Sequence, residues 1–74
     1  MAFDASVASG GLRAARARAN ETQEQGATRS GLKLGSLKLY EQGDAIGGMS
    51  LERAWMLADH FGCSIDDLVD RKIS

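Results

Sequence analysis

His60 and Cys63 form an H-x-x-C, the one pairing in this sequence with the spacing of metal ligands. A zinc site needs about four ligands and no second pair accompanies this one, so no metal and no cofactor are expected. Cys63 has no second thiol to pair with. As the single cysteine it excludes an intramolecular disulfide, and the natural compartment is a reducing one, the cytoplasm. Nucleophile, base and orienting group are not grouped in any recognisable pattern, and Gly47-Gly48 is too little for a phosphate-cradling loop. An enzyme is not expected. The remaining chemistry is that of binding: Lys33 and Lys38 can meet phosphates, and Leu34 and Leu39 stand beside them.

How those four residues are presented depends on the stretch GLKLGSLKLYEQG, residues 31–43. Leu32, Leu34, Leu37 and Leu39 alternate with polar residues around Gly35-Ser36, the pattern of two short strands joined by a tight turn. Wound as a helix, the same letters turn Leu32, Ser36, Leu37 and Tyr40 inward and Lys33, Leu34, Lys38 and Leu39 outward. The rest of the chain offers no other strand, and an isolated hairpin is marginal in water. A helix over residues 33–41 is therefore expected.

The flanking segments read as short helices. LRAARARA, residues 12–19, is rich in helix formers and ends at Asn20, a tolerable left-handed cap. Thr22 opens a T-x-x-Q capping box for a second helix to about Arg29, and Ser30-Gly31 makes a turn. Ser50 caps LERAWMLADHF, with Leu51, Ala54, Leu57, Ala58 and Phe61 at helical spacing and Gly62 at its end. Ser64 with Asp67 forms another capping box, opening a last helix that buries Ile65, Leu68 and Val69, with Ile73 beyond. DAIGGM between the third and fourth helices is expected to be a flexible loop. Residues 1–10 are expected to form a flexible N-terminal arm and residues 11–74 a single all-α, five-helix domain.

With 74 residues the core is small, and a partner chain would add stability. No apolar run approaches the roughly 18 residues of a membrane span, so no membrane partner is expected. The net charge of -1 hides an asymmetry: residues 11–40 carry six basic against two acidic residues, and residues 41–74 three basic against seven acidic. Such a chain can turn a basic face to phosphates while its acidic half looks away.

TQEQGATRSGLKLGSLKLYEQG, residues 22–43, resembles the helix-turn-helix of the lambda-repressor-like family, also called the XRE or Cro/repressor type. Thr22, Gln23, Ala27, Gly31, Leu32, Leu37, Glu41 and Gly43 fall in register with that family's wording. SLERAWMLADHFGCSIDDLVD, residues 50–70, is similar to its fourth and fifth helices. The resemblance implies that helices 2 and 3 form the motif, that helix 33–41 enters the major groove of double-stranded DNA, and that the protein regulates transcription as a homodimer. It implies a phosphate contact for Gln23, and groove or phosphate contacts for Lys33, Leu34, Gly35, Ser36, Lys38 and Leu39. It also implies a structural ion pair between Arg16 and Glu41.

The sequence departs from that family in two respects. Glu21, Gly26 and Ser30 stand where larger apolar residues are usual, so thin packing is expected among the first three helices. Leucine on the reading face cannot pair bidentately with a base, although it can touch thymine methyls. The apolar face leaves a second expectation open, a protein-interaction module on the same fold, such as an antitoxin or anti-regulator with a protein partner. For the homodimer, Trp55 with Ile65, Leu68, Val69 and Ile73 supplies more apolar surface than an end helix needs.

Overall fold

The computed structural model describes residues 2–70, and among these every regular element is helical. The elements run α1 Ala5–Arg18, α2 Gln23–Ser30, α3 Leu34–Gln42, a 3-10 turn Ile46–Gly48, α4 Leu51–Phe61 and α5 Ile65–Leu68. The choice between hairpin and helix falls to the helix. Leu37 and Tyr40 lie in the core, where helical winding puts them.

Local signals set most of the boundaries. The Thr22 hydroxyl accepts from Gln25 N–H while the Gln25 side chain accepts from Thr22 N–H, a complete capping box that satisfies two amides at the start of α2. Ser50 and Ser64 cap α4 and α5 in the simpler way, each accepting from the N–H three residues on. α2, α3 and α4 each end on a left-handed glycine, Gly31, Gly43 and Gly62, and Asn20 takes the same conformation just past α1 at φ 57.

Two expectations from sequence are corrected. Residues 5–10 are not an arm but the first turns of α1, capped by the Asp4 carboxylate accepting from Ser6 and Val7 N–H. The ASVASGG composition is poor for a helix, with two glycines that each cost about 1 kcal/mol against alanine. Tertiary contacts outweigh that cost, since Ala8 and Ser9 are buried and the Ser9 hydroxyl donates to the Tyr40 carbonyl at 2.8 Å. The loop DAIGGM is likewise structured: Ile46 reaches the core and the backbone closes as a 3-10 turn, with Phe3 lying against Gly47.

α1 packs on α3 and α5, α4 packs on α2 and α5, and α2 crosses α3. The core they enclose rests on Leu12, Leu37, Leu57 and Leu68, all fully buried, filled out by Ala8, Ala15, Ala27, Ala58, Tyr40 and Ile46. So many alanines bring the helix backbones close together. The closest approach is at Gly11, where a Cβ would stand 2.6 Å from the Leu68 carbonyl oxygen and from Asp70 N.

Candidate nucleic-acid interface

α3 is held at its C-terminal end by polar side chains of α1. Helix ends leave carbonyls without intrahelical partners, and here Ser9 donates to Tyr40 O and Arg13 to Glu41 O. One turn further along α1, Arg16 forks onto the Glu41 carboxylate, Nε to Oε2 at 2.7 Å and Nη2 to Oε1 at 2.9 Å. Its remaining nitrogen, Nη1, donates to the Glu21 carbonyl at 2.8 Å. Glu41 is 3 % exposed, so this bidentate pair is what makes a carboxylate tolerable there. The carboxylate in turn holds the Arg16 guanidinium more firmly in its charged form than usual, against the opposing effect of burial. Of the three α1 residues in this grip, only Arg16 was legible in the sequence. On the far side, Arg53 of α4 donates to the Tyr40 hydroxyl at 2.7 Å.

The thin packing expected around Glu21, Gly26 and Ser30 takes a polar form instead. The Ser30 hydroxyl donates back to the Gly26 and Ala27 carbonyls of its own helix. A Cβ on Gly26 would come within 3.3 Å of the Arg16 stem, so the missing side chain leaves room for the arginine to reach Glu41. Glu21 accepts from His60 Nε2 at 2.9 and 3.0 Å and from Arg29 at 3.1 Å, which ties the α1–α2 turn to the end of α4. His60 therefore serves a carboxylate, and among the described residues no His, Cys, Asp and Glu cluster could hold a metal. Cys63 packs against the core, and burial pushes its thiol above the ordinary range.

The His60 hydrogen bond first, then that of Arg29, hold the Glu21 carboxyl below its ordinary range although burial opposes them. A depressed carboxylate stabilises the fold fully above the ordinary glutamate value, and that contribution is lost as pH falls through the lowered one. Urea midpoints measured from neutral pH down to about pH 3, below the ordinary carboxylate range, should fall more steeply for the wild type than for Glu21→Gln. Parallel slopes would show that Glu21 adds nothing to acid stability.

The residues expected to meet DNA divide into three groups. Lys33 at the N-cap of α3 and Gly35, Lys38 and Leu39 within it are exposed, Leu39 at 47 %. Leu34 and Ser36 are half-buried, and Leu34, expected to face outward, packs against the core. Gln23 is half-buried too, and its side-chain amide is turned inward, donating to Glu41 Oε1 at 3.2 Å. The sequence could not foretell that, because the Gln23 partner lies 18 residues away on another helix.

The helix-turn-helix family profile matches residues 12–68 of the chain. The chain belongs to the lambda-repressor-like, or XRE, helix-turn-helix family. No curated protein and no solved structure matches it. The family is one of DNA-binding domains, and α2 and α3 form its helix-turn-helix. The matched span includes Arg13, Arg16 and Glu41 of the polar grip on α3, while Ser9 precedes it.

The surface expected at a dimer seam is also corrected in part. Leu68 is fully buried in its own core and has no surface to offer a second copy. Trp55 is 66 % exposed and lines a shallow groove of about 340 Å³ with Ala58, Asp59, Cys63, Ser64 and Ile65. Val69 is half-buried, and Ile73 lies outside the described residues. Leu51, placed by its spacing on the apolar face of α4, is instead 71 % exposed, because it begins the helix at the edge of the core. No described helix is long and apolar enough to cross a membrane.

Proposed function

We propose that this protein is a cytoplasmic transcriptional regulator that lays α3 in the major groove of double-stranded DNA and acts as a homodimer. The observation that carries this reading is the grip of α1 on α3. Ser9, Arg13 and Arg16 fix the recognition helix by its inner and C-terminal side, while Lys33, Gly35, Lys38 and Leu39 stay exposed. A helix pre-oriented in this way loses little freedom on docking. Lys33 and Lys38 are the phosphate contacts, and the first-turn backbone amides of α2 take the role expected of the Gln23 side chain, since a helix N-terminus attracts phosphate.

Affinity for duplex DNA should then fall steeply with salt, because each phosphate neutralised adds about 0.9 to the slope of log K against log salt. Lys33→Ala with Lys38→Ala should weaken all sequences alike and reduce that slope by about 2. Fluorescence anisotropy with labelled duplexes measures both. Absence of binding at about 50 mM salt, where phosphate contacts are strong, would replace this reading with the protein-interaction module, whose apolar face includes Leu39.

Paired recognition helices require two-fold symmetry, and Trp55, Ile65 and Val69 are the seam we assign. Sedimentation at high micromolar concentration should find a dimer that Trp55→Glu dissociates. A wild-type chain that stays monomeric under those conditions would remove the seam.

A further inference from the structure

Gly35 sits in the first turn of α3, where glycine destabilises a helix relative to alanine. Among the described residues nothing requires it: its backbone is helical, and an added Cβ would meet none of their atoms within 4 Å. Gly11, by contrast, has the backbone of α5 against it. The use of Gly35 therefore lies outside the chain, with something that approaches the helix closely. Leu39 stands one turn further along the same row and is 47 % exposed. The bare Cα beside a projecting leucine makes a small apolar notch. Lys33 and Lys38 flank it, and Glu41, the one carboxylate of α3, is buried and paired with Arg16. The charge around the notch is thus wholly positive along this helix. From Leu34 to Leu39 there is no amide or guanidinium to pair with a base edge, and the exposed amide of Gln42 lies in the last turn.

We propose that the notch of Gly35 and Leu39 takes the 5-methyl groups of thymine, so that the protein selects thymine-bearing duplexes by apolar contact. The inference rests on the reading of α3 as a DNA-contacting helix. The thymine methyl is the apolar group on a major-groove base edge, and phosphates on both walls of the groove suit the two lysines. The missing Cβ at Gly35 lets the helix backbone come close enough for Leu39 to cover the methyl.

Uracil keeps every hydrogen-bonding group of thymine and lacks only the methyl, so it isolates the contact. The full chain is titrated by anisotropy at about 50 mM salt into two random-sequence duplex pools of equal length, one made with thymine and one with uracil. The uracil pool should bind more weakly by about fourfold for each methyl covered. Leu39→Ala should bring the two pools together while keeping the salt dependence. Gly35→Ala should raise the melting temperature of the free protein and lose the preference for thymine. Equal affinity of the wild type for both pools would overturn the notch and leave DNA binding intact. Retention of the preference by both variants would overturn it as well. Binding to neither pool would overturn the DNA reading and the notch together.

Discussion

Replacing Arg16 by alanine should destabilise the protein by about 3 to 5 kcal/mol, the cost of leaving a buried charge without its partner. Glu41 then keeps only the Gln23 amide at 3.2 Å, in a position 3 % exposed. The reverse change, Glu41→Ala, should cost less. The Arg16 side chain is 21 % exposed and retains its bond to the Glu21 carbonyl, so its charge can reach water. A domain of this size has a total stability of about 4 to 11 kcal/mol, and Arg16→Ala should unfold a measurable fraction at room temperature. Arg16→Lys should recover little, because an ammonium cannot fork onto both carboxylate oxygens and the Glu21 carbonyl. The double variant Arg16→Met with Glu41→Leu should recover most of the loss, since an apolar pair of similar size carries no desolvation penalty. Urea unfolding of the cycle measures the coupling. A coupling near zero would mean that the two charges are independently solvated, and that α3 is oriented by its other contacts.

The second large effect is expected from two adjacent glycines that should respond with opposite sign. At Gly10 an added Cβ would meet Arg13 Nη2 at 3.7 Å, an ordinary contact. At Gly11 it would stand 2.6 Å from two backbone atoms of the α5 end and 2.7 Å from a third. Gly10→Ala should therefore gain the helix propensity of alanine, roughly 0.5 to 1 kcal/mol. Gly11→Ala gains the same propensity but forces α5 away from α1, which loosens Leu68 in the core, and overpacking of this kind costs about 1 to 3 kcal/mol. For a domain of this length 1 kcal/mol is worth about 4 to 8 °C. Thermal melts should separate the two variants by about 10 °C on those figures, with the wild type between them. Equal melting temperatures would mean that α5 can shift freely, and that the close approach at Gly11 has no energetic weight.

Both predictions concern contacts between residues far apart in sequence, and they mark where reading the sequence stops. Its local signals determined the segmentation: the Thr22, Ser50 and Ser64 caps and the glycines at positions 31, 43 and 62 lie where short-range backbone chemistry needs them. Leu37 and Tyr40 could be assigned to the core because helical spacing is itself a local property. The Arg16 and Glu41 pairing was reachable only through the family resemblance, as nothing near either residue in sequence names the other. The tertiary structure alone decided that Ser9 and Arg13 join that grip, that Gln23 turns inward, and that Glu21 takes His60 and Arg29 as partners. It also made a helix of the glycine- and serine-rich residues 5–10 and drew Leu34 inward. In each case the deciding energy is the burial of a side chain or the pairing of a polar group across helices. Such terms outweigh local propensities of a few tenths to 1 kcal/mol per residue, and no window of adjacent residues contains them.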